Sequence, residues 1–168
     1  MKSLFKKIII IFLFNITCAY SEANIFFIDL DKVIESSTIG KKTLSKIENL
    51  NNQNIENLKK KNEELKKLEN EIKIKQNIVS KEEFDRDLSA LKKKIKSYRK
   101  MKDELVMDFD KKKDDYMNNL FTKINPIIQD YMKKNSINIL LESKNVFIGK
   151  KNLDITDDII KEINIKLN

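Results

Sequence analysis

Val79 to Tyr116, VSKEEFDRDLSALKKKIKSYRKMKDELVMDFDKKKDDY, carries the pattern that decides the fold. Alternate steps of four and three from Phe84 land on Leu88, Leu91, Ile95, Tyr98, Lys102, Leu105, Phe109, Lys112 and Tyr116. Eight of these ten positions are apolar or aromatic, against roughly four expected from a 40% apolar composition, so the segment reads as a coiled-coil seam. A weaker seam precedes it. Leu44, Ile47, Leu58, Leu65, Leu68, Ile72 and Val79 fill seven of eleven places, and Asn51, Asn54, Lys61 and Lys75 interrupt it.

One continuous rod would also satisfy the period, but the middle of the segment argues for a break. Ser80 stands three residues before Glu83, the spacing of a capping box, while Val79 and Phe84 occupy the two positions of a hydrophobic staple. A second helix therefore starts at Ser80. With Gln76 to Val79 as the turn, residues 41–135 become an antiparallel hairpin with its tip near 76–80. Its first arm, Lys41 to Gln76, has 36 residues and a length of about 54 Å.

Outward from the hairpin the elements shorten. Asn125-Pro126 predicts an interruption of the second arm, since proline lacks a backbone donor, and marks a joint between arm and body. Ile127, Ile128, Tyr131 and Met132 continue an apolar face until Lys133, Lys134 and Asn135 end the helix. Upstream, Gly40 predicts a turn before the first arm, and Asp31 a cap for a short helix carrying Val33 and Ile34.

Ile25-Phe26-Phe27-Ile28 is a short apolar run with the character of a buried strand. Downstream, Ile137 to Leu141 and Val146 to Ile148 flank Glu142-Ser143-Lys144-Asn145 and predict a strand hairpin. Asp154 predicts a cap for a last helix that carries Ile155, Ile159, Ile160, Ile163 and Leu167, with Asp157 and Asp158 in its first turn. The expected fold class is mainly α with a small β body, the hairpin arm (41–135) standing on a body made from 24–40 and 136–168. Three short strands and one helix are too few to close a core alone, so the strands are expected to join copies of the chain.

Composition narrows the function. The chain has 168 residues, no histidine or tryptophan, two glycines, one proline and the single cysteine Cys18. Histidine- or cysteine-based metal sites, nucleophiles and proton shuttles are thereby excluded from the part of the chain beyond Cys18. Gly40 and Gly149 are isolated, so no glycine-rich phosphate cradle exists. The expectation is a non-enzymatic protein with no cofactor.

The first 23 residues read as a secretory signal peptide. Lys2, Lys6 and Lys7 precede the apolar run Ile8 to Phe14, and Ser21-Glu22-Ala23 places small residues at both positions that the peptidase reads, giving a mature start near Asn24. The apolar run falls well short of the ~20 residues a spanning helix needs. A competing reading makes Cys18 a lipidated terminus, for which Thr17 is a poor preceding residue. Export to the periplasm leaves a mature chain without disulfides, stabilised by packing and assembly.

Charge is unevenly distributed. Residues 41–135 hold 25 basic and 17 acidic side chains, whereas the remainder from Asn24 holds 6 basic and 8 acidic. Lys92, Lys93, Lys94, Lys96, Arg99 and Lys100 concentrate positive charge on the second arm and are the candidate steering residues for acidic chains or anionic surfaces. A chain rich in asparagine, isoleucine and lysine could also carry such lysines as ordinary solvated surface.

Taken in order behind a signal segment, these pieces resemble the Skp/OmpH family across essentially the whole mature chain. The resemblance rests on Ile25-Phe26-Phe27-Ile28-Asp29 with Lys32-Val33-Ile34 and Gly40-Lys41-Lys42, then the hairpin, then Ile139-Leu140-Leu141 with Val146-Phe147, and finally Leu153-Asp154-Ile155-Thr156-Asp157. It implies a periplasmic homotrimer in which strands from three subunits form the body and three hairpins surround a client cavity. Ile25, Phe26, Phe27, Ile28, Ile139, Leu140, Leu141, Val146, Phe147 and Ile148 are then the candidate trimer-body residues. It further implies a holdase for unfolded outer-membrane β-barrel proteins. The basic charge of the hairpin adds an anionic membrane or lipopolysaccharide surface as an expected partner.

The alternative is a structural or tethering coiled coil of the cell envelope with no client, against which the terminal strands count. A nucleic-acid binder is suggested only by a pI near 9.3, and export together with one seam aromatic, Tyr98, within the lysine cluster argues against it. A cytosolic prefoldin-like chaperone shares the hairpin-on-strands logic but not the signal segment.

Overall fold

Two serine hydroxyls set where the long helices begin. Ser37 Oγ accepts from the Gly40 N–H and Ser80 Oγ from the Glu83 N–H, both at 3.2 Å, each satisfying an otherwise orphaned donor of a first helical turn. The computed structural model describes residues 23–167, so Cys18 and residues 1–22 of the expected signal segment lie outside the described residues. Strand β1 (Ile25–Ile28) leads into helix α1 (Leu30–Ser36); α2 (Thr38–Lys75) then runs outward and α3 (Lys81–Lys134) returns. Strand β2 (Ile139–Glu142), two 3₁₀ turns (Ser143–Asn145 and Lys151–Leu153) and α4 (Thr156–Lys166) complete the fold.

At 38 and 54 residues, α2 and α3 span about 57 Å and 81 Å. They form the expected antiparallel hairpin. Tyr98 on α3 donates through its hydroxyl to the Leu58 carbonyl of α2 at 3.5 Å, and Lys75 Nζ lies 3.8 Å from Asp87 Oδ2 near the tip. Those two contacts join the returning arm to the outgoing one. The surplus length of α3 carries Leu120, Ile124, Ile127 and Ile128 into the body core, where they meet Ile28, Val33, Ile34, Ile137, Ile155, Ile159 and Ile163.

Four local expectations are corrected. Pro126 does not interrupt the second arm; α3 runs through it, because buried Ile124, Ile127 and Ile128 on either side hold the helix against the core. That packing outweighs a proline penalty of roughly 3 kcal/mol. Gly40 is not a turn residue either. The chain reorients at Ser37, whose backbone is extended, and Gly40 lies in the first turn of α2. A Cβ there would lie 1.9 Å from the Ile34 carbonyl oxygen, so glycine is required by the approach of α2 to the end of α1.

The cap of α1 is Asp29, whose carboxylate accepts from the Lys32 N–H at 2.9 Å, with Asp31 in the first turn instead. At α4 the formal cap is Ile155 and lacks a side-chain bond, while Asp154 Oδ1 accepts from the Thr156 N–H at 2.9 Å.

The largest correction concerns the sheet. Val146 to Ile148 forms no strand; β2 pairs with β1, parallel, in the register Ile25 to Ile139, Phe26 to Leu140, Phe27 to Leu141 and Ile28 to Glu142. On its other side β1 meets Asp154 in a single parallel bridge, through the Ile155 N–H donating to the Phe27 carbonyl at 3.1 Å. Strand β2 therefore presents an open edge within the described residues. Asn24 fixes the register: its N–H donates to Asn138 Oδ1 and its carbonyl accepts from the N–H groups of Asn138 and Ile139.

Candidate functional site

The arm is a thin two-helix seam. Only Ile72 and Leu91 are buried along its outer part, each 5% exposed, because two helices cannot enclose a seam on all sides. Interruptions by lysine and asparagine thin it further. Beside it runs a groove of about 820 Å³, floored by Leu65, Leu68, Tyr98 and Met101. Lys61 and Lys67 of α2 face Lys93 and Lys94 of α3 across it, with Glu64 and Glu71 also lining it.

The six candidate steering residues are all exposed but do not form one patch. Lys93 and Lys94 line the groove, whereas Lys92, Lys96 and Arg99 repeat at helical spacing as a separate stripe. Lys100 lies 3.5 Å from Glu104. Lys92, Lys93, Lys94, Lys96 and Arg99 have no ion pair among the described residues and keep their charge available.

Elsewhere the arms neutralise themselves within one helix. Lys60 pairs with Glu56 and Lys112 with Asp108, each at 2.8 Å. The side-chain hydrogen bond, then the opposite charge, holds Glu56 below its ordinary value and Lys60 and Lys112 above theirs. These exposed pairs contribute little to stability. Lys61 entered the sequence pattern only as an interruption of the seam; with Lys67 and Met101 it proves to line the groove, a placement that depends on the partner helix.

The strands gather the second candidate region. Paired residues of a parallel ladder share a face, so Ile25 and Phe27 lie beside Ile139 and Leu141, while Phe26 and Leu140 turn to the core. Ile25, Ile139 and Leu141 are exposed, and Phe147 and Ile148 almost wholly so. Gly149 lies against the Phe27 ring and the Val146 side chain, so its loop partly covers Phe27. Of the ten candidate body residues, Ile28 alone is buried within this chain.

The body is closed by polar clasps. Lys32 Nζ lies 2.8 Å from Asp157, the Asp29 N–H donates to Thr156 Oγ1 at 2.9 Å, and the Thr38 N–H to Asn164 Oδ1 at 2.8 Å. The Lys32 hydrogen bond and charge hold Asp157 below, and Lys32 above, their ordinary values. Burial, then the nearby Asp158 carboxylate, raises Tyr131, whose hydroxyl donates to Asp158 at 3.3 Å. Among the described residues no cluster of His, Cys, Asp or Glu has the makings of a metal site.

No curated protein is matched by the sequence. A crystal structure from Caulobacter crescentus CB15, provisionally described as an outer membrane chaperone (OmpH-like), superposes with a TM-score of 0.80 at 14% identity, covering 88% of this chain and 87% of that one. At that identity the likeness is one of fold. The family profile described as Outer membrane protein (OmpH-like) matches residues 24–163, from the first residues of β1 into α4. The chain belongs to the OmpH-like outer membrane protein family.

Proposed function

We propose that this protein is a periplasmic holdase that binds unfolded outer-membrane β-barrel proteins between cationic helical arms and keeps them from aggregating. The observation that carries the reading is a hairpin of nearly 40 residues outward, bearing unpaired cations on its returning helix and rooted in a body that leaves an apolar sheet face uncovered. A holdase has to retain a chain without folding it into one geometry. Many weak, exposed charges on a thin arm meet that need, since their summed field attracts an acidic chain while no single contact fixes its shape.

Assembly belongs to the same proposal. The apolar face of Ile25, Ile139 and Leu141, the exposed Phe147 and Ile148, and the open edge of β2 suit contact with further copies of this chain, and a trimer would give three arms around one cavity. Removal of residues 1–23 on export would leave Asn24, which already binds Asn138, as the first residue. Enzymatic chemistry has no counterpart in the family.

Stopped-flow capture of an unfolded acidic barrel protein at rising salt tests the reading. Reversal of Lys92, Lys93, Lys94 and Lys96 to glutamate should slow capture and flatten its salt dependence, because the field acts over roughly 8 Å at physiological salt. Unchanged rates in a variant of normal helicity and trimer mass would remove the steering role. A stable monomer in sedimentation at micromolar concentration would remove the assembly.

A further inference from the structure

Positive charge is not spread along the arm. From Leu88 to Lys102 α3 carries Lys92, Lys93, Lys94, Lys96, Arg99, Lys100 and Lys102 and no carboxylate. From Asp103 to Lys134 it carries six cations against seven carboxylates. On α2, the segment 54–68 that the Tyr98–Leu58 contact places opposite holds five cations and three carboxylates. The surplus is thus a belt at mid-arm. The groove floored by Leu65, Leu68, Tyr98 and Met101 lies in that belt.

Three properties of the groove define an occupant. Its floor is apolar and includes one aromatic ring, Tyr98, whose hydroxyl reaches the Leu58 carbonyl at 3.5 Å. Its charged lining is four lysines against the two carboxylates Glu64 and Glu71, and among the described residues Lys61 alone of the lysines is engaged, with Glu64 at 2.9 Å, which leaves Lys67, Lys93 and Lys94 in surplus. Its volume of about 820 Å³ falls in the range of clefts that take ligands of a few hundred daltons, enough for a few side chains and far too little for a folded domain. An anionic strand without apolar groups would leave the floor wet, and a purely apolar one would leave Lys67, Lys93 and Lys94 unanswered.

We propose that this groove within one hairpin is a docking site for an extended segment of an unfolded acidic polypeptide, one that presents aromatic or aliphatic side chains alternating with carboxylates. The apolar side chains cover Leu65, Leu68 and Met101 and stack on Tyr98; the carboxylates reach Lys67, Lys93 and Lys94. This deepens the holdase reading and rests on it. It differs in mechanism from general steering: retention depends on a local site in each arm, while the stripe of Lys92, Lys96 and Arg99 acts only through the field.

The test separates those two roles by charge-matched variants of the full protein. A fluorescent 12-residue peptide alternating Phe and Asp is titrated by anisotropy, with an Asn-for-Asp peptide beside it. Lys93→Glu with Lys94→Glu, and separately Met101→Glu, should each weaken binding about tenfold or more. Lys96→Glu with Arg99→Glu makes the same charge change outside the groove and should cost no more than about threefold. The Asn peptide should bind the unsubstituted protein about tenfold more weakly.

Equal losses in the two charge-reversed pairs, or equal affinity for the two peptides, would overturn the site. So would unchanged peptide affinity in Lys93→Glu/Lys94→Glu alongside lost binding to phosphatidylglycerol vesicles, which would make the groove a lipid site. Aggregation of an unfolded barrel protein is followed in parallel. Protection by the unsubstituted protein that survives in groove variants with unaltered peptide affinity refutes the groove and keeps the holdase. Absence of protection by the unsubstituted protein refutes the holdase, and the peptide titration still decides the groove.

Discussion

Replacement of Gly40 by alanine should destabilise the root of the arm, and the sign of the effect is diagnostic. In an exposed helix the change would stabilise by about 1 kcal/mol, since glycine is a poor helix former and leaves the unfolded chain freer. Here the added methyl would lie 1.9 Å from the Ile34 carbonyl oxygen, 2.7 Å from its carbon and 2.8 Å from Ser37 Oγ. The obstacle is backbone, so relief requires the start of α2 to move off α1 by about 1.5 Å to reach ordinary contact distance. Overpacking of this kind costs about 3 kcal/mol, the upper end of its usual range. Displacement of Ser37 from the Gly40 N–H removes a cap worth about 1 kcal/mol more.

After the helix-propensity gain the net destabilisation is about 3 kcal/mol, or a fall in Tm of about 10 °C for a chain of this size. Urea and thermal melts followed by circular dichroism at one fixed protein concentration measure it, concentration mattering because an assembly stabilises by mass action. A Gly40→Ala variant as stable as the parent, or more so, would refute the claimed approach of α2 to α1.

Other perturbations have smaller expected effects. Ser136 follows α3 with φ 54°, and the Ile137 N–H reaching the Met132 carbonyl at 2.9 Å closes the helix end around it, so Ser136→Gly should stabilise by about 0.5–1 kcal/mol in the same melts. Ser80→Ala should cost about 1 kcal/mol, visible as faster amide exchange at residues 81–84, with the body unchanged. The Lys32–Asp157 clasp has a signed pH dependence. Asp157 is lowered from 3.8, so its contribution is present above that value and lost as pH falls through the lower folded value; Lys32 is raised from 10.5, so its contribution is present below that value and lost as pH rises through the higher one. Both groups are exposed, so Asp157→Asn should remove a small acid-side slope from stability against pH and leave the neutral region almost level.

The hairpin was legible because its causes are local. A 3.5-residue period and a serine three residues before a glutamate act within one or two turns of backbone, and the Ser80 bond to Glu83 is the result. Gly40 and Pro126 carry strong local meanings that distant packing reversed, through the carbonyl of Ile34 in one case and the core around Ile124 and Ile128 in the other. Parallel pairing of β1 with β2 joins residues more than 110 positions apart, and nothing in either four-residue strand encodes its partner. Val146 to Ile148 looked like a strand because it is apolar; an exposed Phe147 and Ile148 show that its apolar character is not used within one chain. The groove was invisible for the same reason, since Lys61 and Lys93 are neighbours only once the register is set.

In the proposed function the arms hold unfolded chains. A denatured outer-membrane β-barrel protein diluted into buffer with the purified protein, and followed by light scattering, tests it most directly. Scattering should be suppressed in proportion to added protein, and the suppression should weaken as salt rises and in the Lys92, Lys93, Lys94, Lys96 reversal. Scattering that rises as fast with the protein present as without it, at low salt and several-fold excess, would show that the arms do not hold unfolded chains.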